Sequence, residues 1–215
     1  MSALLRIDIM AGFTPDDVER AAAVFRDGGV GVIPTDTVYG IAALASNEEA
    51  VARVLELKER SLDKPLPVHV ASMREANVLA EADGPAAVAL ADRFWPGALT
   101  IVLARRTGPG SHLPLQPAES IGLRIPDNMF CLAIIEHAGF LVVPSANPPE
   151  APAPRTLKEV PAGIMGEADL VVNAGACSLG VESTVVDLTG EATVLREGAI
   201  PAADIMEVLE GLGRA

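Results

Sequence analysis

The sequence predicts a single α/β domain built on a twisted, mixed sheet with flanking helices. Short apolar runs of strand length alternate with amphipathic helical segments along all 215 residues. No repeat, low-complexity tract or linker divides the chain. Gaps of hairpin length near the carboxyl end favour a mixed sheet over a purely parallel one. We therefore expect residues 1–215 to form one domain.

The first predicted helix has clear signals at both of its ends. Thr14 is a favoured N-cap residue, Pro15 suits the first helical position, and acidic residues follow in the first turn. Two glycines at positions 28 and 29 end the helix. The apolar run 30–34 then reads as a buried strand, and it ends at a turn of threonine and aspartate.

The middle of the chain continues this alternation. A stripe of apolar residues predicts a helix over 48–60, and Ser72 with Glu75 forms a capping-box pattern for the next helix. Residues 107–119 are rich in glycine and proline and read as a loop. The other elements predicted up to residue 143 are the strands 66–71, 99–104, 121–125 and 140–143, the helix 85–94, and a helix that Asp127 caps and Gly139 ends.

The carboxyl-terminal part begins with a segment that favours neither helix nor strand. Residues 148–155 are mostly proline and alanine, which neither extend a helix nor pair in a central strand. Thr156 and Glu159 suggest another capping box. Beyond them the sequence predicts strands at 170–172, 184–188 and 193–195 and a closing helix at 201–212.

Composition narrows the possible functions. The net charge of −13 disfavours broad, salt-dependent nucleic-acid binding, although a local basic pocket stays possible. No segment has the roughly 18 uncharged residues of a membrane helix, and the first residues show no signal-peptide pattern. Cys131 and Cys177 have neither metal-ligand spacing nor a disulfide framework. We therefore expect a cytoplasmic protein that does not associate with membranes.

Small polar side chains follow strand-like runs in three turns. The turn 34–40 reads Pro-Thr-Asp-Thr-Val-Tyr-Gly, the turn 144–147 reads Pro-Ser-Ala-Asn, and 180–184 reads Gly-Val-Glu-Ser-Thr. Each turn taken alone could simply be stabilised by its own side chains, which bond to nearby backbone groups. Together, at strand ends in one α/β domain, the three turns suit a site that holds a small polar ligand.

Cations are concentrated near these turns in an otherwise acidic chain. Lys58 and Arg60 stand near the end of a predicted helix, where they either reach a common site or offset the helix dipole. Lys64 precedes Pro65, so we expect an extended conformation from which it could reach a phosphate. Arg124 lies inside a predicted strand, where its guanidinium suits either a ligand carboxylate or a structural ion pair.

Two further residues are ambiguous from local sequence alone. Arg196 lies at a strand end, and a ligand or a structural partner fits its position equally well. His69 lies inside an apolar strand, where a lone histidine is more often a core residue than a catalyst. The sequence has no P-loop, no Rossmann glycine fingerprint and no nucleophile elbow, so ATP use would need an unusual phosphate-binding site.

In their order and spacing, these pieces resemble the Sua–YciO–YrdC family, and within it the threonylcarbamoyl-AMP synthase branch. The resemblance covers nearly the whole chain, from about residue 16 to residue 201. The Lys-x-Arg and Ser-x-Asn elements mark the synthase branch more than its paralogues. The matching pieces are 34–40, 58–60, 64–66, 94–97 (Phe-Trp-Pro-Gly), 122–126, 144–147, 182–187 and 196–198.

The resemblance implies an enzyme that makes threonylcarbamoyl-AMP and pyrophosphate from L-threonine, bicarbonate and ATP, for modification of the adenosine beside the anticodon of certain tRNAs. It also implies a YrdC/RibB-like sheet with both substrates on a concave side. Lys58 and Arg60 would be the catalytic cations. By the same resemblance, L-threonine would be held by Thr37, His69, Arg124, Ser145 and Ser183, and ATP by Arg60, Lys64, Ser120, Asn147 and Arg196.

The implied chemistry needs no covalent nucleophile in the protein. The neutral amine of threonine would attack bicarbonate or carbon dioxide, and the resulting carbamate would attack the α-phosphorus of ATP. Catalysis would then rest on positioning and on charge stabilisation by cations and by Mg²⁺ bound with ATP. The product would pass to threonylcarbamoyl-transferase machinery, and the sequence leaves direct tRNA binding open.

One segment departs from the family pattern. After Ser-x-Asn the family has Ser-Gly and a Pro-Ser-Pro-Thr-like stretch, whereas residues 148–155 read Pro-Pro-Glu-Ala-Pro-Ala-Pro-Arg. A hydroxyl expected to face ATP near Arg155 is missing, so either Arg155 contacts phosphate or the loop closes differently. The departure motivates an alternative hypothesis, a non-catalytic YrdC- or YciO-like paralogue that binds nucleotide or RNA.

Overall fold

The structure, a computed structural model, describes residues 4–59, 66–108, 110–111, 113–115 and 119–213. The strands are β1 (Leu5–Asp8), β2 (Val30–Ile33), β3 (Gly40–Leu44), β4 (Pro67–His69), β5 (Leu99–Ala104), β6 (Ser120–Arg124), β7 (Leu141–Val142), β8 (Leu170–Asn173), β9 (Thr184–Asp187) and β10 (Thr193–Arg196). The helices are α1 (Pro15–Arg26), α2 (Glu48–Leu57), α3 (Met73–Leu79), α4 (Pro85–Phe94), α5 (Met129–Ala138), α6 (Ala162–Glu167) and α7 (Ala202–Leu212).

All the strands of the described residues join one mixed sheet, which confirms the predicted α/β architecture. Their order is β1-β8-β2-β3-β7-β4-β6-β5-β9-β10. Parallel pairs join β1 to β8, β8 to β2, β4 to β6 and β5 to β9, and the remaining neighbours are antiparallel. The sheet therefore places β6 and β5 side by side, with β4 and β9 flanking them.

Helices cover both faces of the sheet, and each face has its own apolar core. Successive strand residues point to opposite faces, so Val32 packs into one cluster and Ile33 into the other. Phe25 of α1 and Ile134 of α5 pack on the Ile33 side. The opposite cluster is larger and takes side chains from α2, α3, α4 and α7. Aliphatic side chains make up most of both cores, as the low aromatic content predicts.

The sequence signals around α1 are confirmed in detail. The Thr14 hydroxyl accepts a hydrogen bond from the Asp17 amide, and the Asp17 carboxylate accepts one from the Thr14 amide, so the two form a capping box. Beyond the helix, Gly28 has φ +83°, a conformation that favours glycine. The paired signals explain why both ends of this helix were predictable.

Three elements were not predicted, namely the strands β1 and β3 and the helix α6. β1 has alternating charged and apolar residues over only four positions, and β3 contains alanines, which have low strand propensity, directly after a polar turn. The Thr156 pattern led us to expect a helix there, but its side chain makes no cap bond. Residues Leu157–Glu159 form only a 3₁₀ turn, and the helix α6 begins later, at Ala162.

Several boundaries also differ from the predictions. Asn128, not Asp127, caps α5, because its side-chain oxygen accepts from the Cys131 amide at 2.9 Å. The helix α2 ends at Leu57 instead of continuing to residue 60, because Lys58 forms its C-cap and Glu59 has a positive φ of 47°. The strand expected over 66–71 pairs only over Pro67–His69.

Across the described ranges, none of the helices combines the length and the apolar character that crossing a membrane requires.

Candidate active site

A cavity of about 260 Å³ lies where β4, β6, β5 and β9 meet the polar turns. Each of the three turns predicted from the sequence contributes side chains to its walls. All five residues that the resemblance assigned to L-threonine line this one cavity: Thr37, His69, Arg124, Ser145 and Ser183. Of the residues assigned to ATP, Arg196 lines it as well.

A row of polar side chains crosses the sheet at this cavity. His69 of β4 pairs in register with Arg124 of β6. The neighbouring ladder pairs Ile101 with Leu123, which places Thr100 of β5 across from Arg124. Residues that lie across from each other in a sheet point to the same face. The row therefore runs from the imidazole through the guanidinium to the Thr100 hydroxyl.

Arg124 is fixed by three contacts that leave part of its guanidinium uncommitted. Its Nε donates to the Gly97 carbonyl at 2.9 Å, Nη1 to the Thr37 hydroxyl at 2.8 Å, and Nη2 to Asp36 Oδ1 at 2.6 Å. The Arg124 and Asp36 side chains are only 5% and 3% exposed. A guanidinium carries five N–H groups. Two of these N–H groups therefore remain, one on each terminal nitrogen, and they have no partner among the described residues.

Arg124 combines a structural ion pair with a position in the cavity wall. Its ion pair with Asp36 is buried, and the same side chain lines the cavity. The Phe-Trp-Pro-Gly piece helps to place it, because the Gly97 amide donates to the Ile125 carbonyl while the Gly97 carbonyl accepts from Arg124. A buried guanidinium that keeps an N–H group on each terminal nitrogen is suited to a carboxylate.

The first polar turn is held both by itself and by a distant loop. The Thr35 hydroxyl donates to the Val38 carbonyl at 2.7 Å and accepts from the Thr37 amide at 3.1 Å. From the loop before β9, the Ser178 hydroxyl donates to the Asp36 carbonyl and the Gly180 amide to the Thr37 carbonyl. The turn is therefore held in its conformation by contacts within the protein.

Gly40 brings the second polar turn against the first. The Ile41 amide donates to the Pro144 carbonyl, and the Ala146 amide donates to the Tyr39 carbonyl. A Cβ at Gly40 would lie 2.4 Å from a Val143 methyl carbon, so only glycine permits this close approach. Ser145 reaches the cavity wall for this reason.

His69 is a buried imidazole on the cavity wall. It is 2% exposed, and its Nδ1 has no hydrogen-bond partner within the described part of the chain. Burial, followed by repulsion from the Arg124 guanidinium, lowers the pKa of His69 well below 6.5. The imidazole is therefore neutral at pH 7 and has one nitrogen that accepts a hydrogen bond.

Lys58 lies beneath the second polar turn, and it is not among the residues that line the cavity. Its Nζ donates to the Ser145 carbonyl at 2.6 Å, to the Asn147 carbonyl, and to Asn147 Oδ1 at 3.1 Å. The side chain is 6% exposed. The ammonium thus draws several oxygens of the second polar turn together.

Ser183 and Arg196 are joined at the mouth of the cavity. Arg196 Nη2 donates to the Ser183 carbonyl at 2.9 Å, and Nη1 donates to Glu182 Oε1 at 3.2 Å. The Arg196 side chain is 46% exposed. Gly198 permits this arrangement, because a Cβ there would lie 2.2 Å from the Glu182 carbonyl oxygen. A partly exposed guanidinium in this position is available to an anionic ligand.

The other predicted ATP residues are placed differently. Ser120 begins β6 on the same face as Gly122 and Arg124, two residues beyond the cavity lining. Asn147 is buried beside Lys58, and its side-chain amide donates to the Ala151 carbonyl at 2.6 Å. Arg60 and Lys64, including the proposed catalytic role of Arg60, lie outside the described residues.

The proline-rich segment 148–155 closes back onto the polar turns. The Tyr39 amide donates to the Pro154 carbonyl at 2.8 Å, and the Cys177 amide donates to the Arg155 carbonyl at 2.8 Å. The Arg155 side chain packs on Gly180, where an added Cβ would lie 2.0 Å from its Nε. Arg155 is not among the residues that line the cavity, and these contacts fasten the segment 148–155 to the first polar turn and to the loop before β9.

Sequence reasoning missed Thr100 and the cavity position of Glu182. Both residues line the cavity, and Thr100 is 4% exposed. The available signal was weak, because Thr100 is a β-branched residue in an aliphatic strand and such residues are common in strands. Only the register between β5 and β6 shows that Thr100 lies beside Arg124.

The cavity contains no assembled nucleophile and base, and no group of three or more His, Cys, Asp or Glu side chains that could hold a metal occurs within the described ranges. The thiols of Cys131 and Cys177 are buried, and burial raises their pKa values to about 12 and about 11. The cavity instead offers a buried guanidinium, a neutral imidazole and several hydroxyls, a set of groups that is suited to a small polar ligand.

Comparison with known proteins identifies the family. The family model Sua5_yciO_yrdC, described as "Telomere recombination", matches residues 23–198, and the chain belongs to this family. A threonylcarbamoyl-AMP synthase of Pyrococcus abyssi is 37% identical over 191 residues, which are 88% of this chain and 56% of that protein. The chain thus spans just over half the length of this relative.

Solved structures give the same architecture. The crystal structure of P. abyssi Sua5 complexed with L-threonine has a TM-score of 0.86 and 34% identity, and the match covers 95% of this chain and 61% of that one. The crystal structure of E. coli YciO has a TM-score of 0.79 over 92% of this chain and 96% of that one. At 23% identity, the second likeness shows the fold alone.

Proposed function

We propose that the chain makes threonylcarbamoyl-AMP and pyrophosphate from L-threonine, bicarbonate and ATP. The observation that supports this most strongly is the Arg124 guanidinium, which is buried in the cavity wall with two uncommitted N–H groups. The relative at 37% identity carries the same activity in its name, and a relative with the same fold has been solved with L-threonine.

In this proposal the carboxylate of L-threonine binds the two free N–H groups of Arg124. Asp36 and Gly97 hold the guanidinium in place before the ligand arrives, so little ordering remains to be done on binding. The neutral His69 has a nitrogen that can accept a hydrogen bond from the amine, which a protonated imidazolium would lack. Thr37, Ser145 and Ser183 supply hydroxyls around the same ligand.

The chemistry proceeds in two steps. The threonine ammonium loses a proton to solvent, and the resulting amine attacks the carbon of bicarbonate or of carbon dioxide and forms a carbamate. Water leaves when bicarbonate reacts, and a second proton passes to solvent when carbon dioxide reacts. A carbamate oxygen then attacks the α-phosphorus of ATP, and pyrophosphate leaves. No atom of the protein enters a covalent bond. The chain's part is to hold the amine, the carbamate and the phosphate in line.

The nucleotide is proposed to bind at the Arg196 side of the cavity. Arg196 is held by Ser183 and Glu182 and remains partly exposed, so its guanidinium can meet a phosphate. Arg60 and Lys64 are proposed to add positive charge, and Ser120 and Asn147 to orient the nucleotide. Mg²⁺ is proposed to enter with the triphosphate as part of the substrate and to offset its charge.

The product is an activated carbamoyl adenylate, so the next reaction must transfer its threonylcarbamoyl group. We propose that a threonylcarbamoyl-transferase system accepts it for tRNA modification in the cytoplasm. Direct tRNA binding by this chain is not part of the proposal. The formal charge of −13 opposes long-range attraction to a phosphate backbone.

The test is pyrophosphate release by the purified chain with ATP and Mg²⁺. We expect release only when L-threonine and bicarbonate are both present, with each omission returning the rate to background. Release with ATP alone would contradict the proposal. Bound nucleotide without any release would favour the alternative, a non-catalytic relative that binds nucleotide or RNA.

A further inference from the structure

Thr100 and Ser183 form a buried pair of hydroxyls, and the reaction described above assigns no particular substrate group to this pair. Their oxygens lie 2.9 Å apart, both side chains line the cavity, and they are 4% and 7% exposed. The Thr100 methyl lies on the Gly122 side, where a Cβ would come within 3.3 Å of it. The Thr100 side chain is therefore held with its methyl toward β6 and its hydroxyl toward Ser183.

The pair has unused hydrogen-bonding capacity of both kinds. Two hydroxyls carry two protons, and one of these lies between the two oxygens. The only other hydrogen-bond contact of the two hydroxyls within the described residues is Arg196 Nη2, a donor, at 3.4 Å from Ser183 Oγ. One proton and oxygen lone pairs therefore remain for a ligand. A ligand hydroxyl both donates and accepts, whereas a carboxylate only accepts and an ammonium only donates.

The pair and Arg124 contribute to the same cavity. Thr100 lies across from Arg124 in the β5–β6 ladder, so the two side chains start from the same face of the sheet. A small ligand whose carboxylate binds Arg124 can therefore bring a hydroxyl to the pair. A 3-hydroxy amino acid carries both groups.

We propose that Thr100 is a specificity-determining residue that, with Ser183, recognises the side-chain hydroxyl of the amino-acid substrate. This inference rests on the proposed function and deepens it, because it assigns the substrate group that this part of the cavity contacts. A buried pair left without its ligand hydroxyl loses hydrogen bonds, so an amino acid of the same shape that lacks the hydroxyl binds less well.

The experiment measures binding by calorimetry, with the complete chain and two amino acids. L-Threonine is compared with L-2-aminobutyrate, which differs by the hydroxyl. We expect the unaltered protein to bind L-threonine at least about tenfold more tightly. In Thr100→Val, which keeps the shape and the methyl, this preference should fall by about tenfold, while affinity for L-2-aminobutyrate stays within about twofold. Thr100→Ser, which keeps the hydroxyl, should retain the preference.

The outcomes separate this inference from the proposed function. If the unaltered chain prefers L-threonine and Thr100→Val prefers it equally, the role of Thr100 is wrong and the proposed function stands. If the unaltered chain binds neither amino acid, the proposed function fails and the inference fails with it. Thr193→Val is the matched control, because Thr193 is exposed and its hydroxyl donates to the nearby Glu191 carbonyl. If Thr100→Val does not fold, Thr100→Ala tests the same loss without added bulk.

Discussion

Replacing Lys58 by methionine tests whether this cation holds the second polar turn in place. In the parent, the buried ammonium donates to two carbonyl oxygens and to the Asn147 side chain. Methionine fills similar space but leaves those acceptors unmet. Each buried acceptor without a partner costs about 1–3 kcal/mol, partly offset because the charge no longer has to be desolvated. We expect a net loss of about 3 kcal/mol.

Urea unfolding monitored by circular dichroism measures this loss, and Lys158→Met is the matched control because Lys158 is exposed. In thermal unfolding of the same two variants, a loss of about 3 kcal/mol in a chain of 215 residues should lower Tm by about 6–12 °C. The control should stay within about 0.5 kcal/mol of the parent. If Lys58→Met unfolds like the parent and loses only turnover, Lys58 acts directly in catalysis and its structural role is refuted.

Three other changes test contacts around the cavity. Gly198→Ala should lower the free energy of unfolding by about 2 kcal/mol or more, because the alanine Cβ would lie 2.2 Å from the Glu182 carbonyl oxygen. Gly190→Ala, with nothing within 4 Å of its Cβ, should be neutral in the same urea assay, and equal values for both would contradict the packing. Burial lowers the pKa of His69 well below 6.5. Below about pH 6.5 the unfolded chain therefore binds a proton that the folded chain does not, and the free energy of unfolding decreases as the pH is lowered. When the pH is lowered from 7.5 to 5.5, the free energy of unfolding of His69→Gln should therefore fall by about 1 kcal/mol less than that of the parent. An identical pH dependence of the two proteins would refute this reasoning. With pKa values of about 12 and about 11, the Cys131 and Cys177 thiols should resist a thiol reagent at pH 7.5 until urea unfolds the chain; fast labelling of the native protein would show that they are accessible.

Much of the candidate site was predictable because its residues lie at the ends of recognisable strands. Thr37, Ser145 and Ser183 each follow or precede a short apolar run, and polar residues there mark strand ends. The family resemblance then assigned them to one ligand, and the structure brings them to one cavity. Capping and glycine signals similarly gave both ends of α1.

The remaining features depend on contacts between distant parts of the chain. Lys58 bonds to a turn 87 residues further on, and no local pattern indicates that partner. Thr100 becomes a site residue only through the register of β5 with β6 and the placement of β9 beside β5. The strand order also places β8 between β1 and β2, and sequence periodicity carries no information on such pairings.

The measurement that tests the central proposal most directly is detection of the product itself. The purified chain is mixed with ATP, Mg²⁺, L-threonine and isotope-labelled bicarbonate, and the products are read by rapid mass spectrometry. We predict a threonylcarbamoyl adenylate that carries the bicarbonate label and is absent when either L-threonine or bicarbonate is omitted. Hydrolysis of ATP without this adenylate, or nucleotide binding without turnover, would contradict the proposed function.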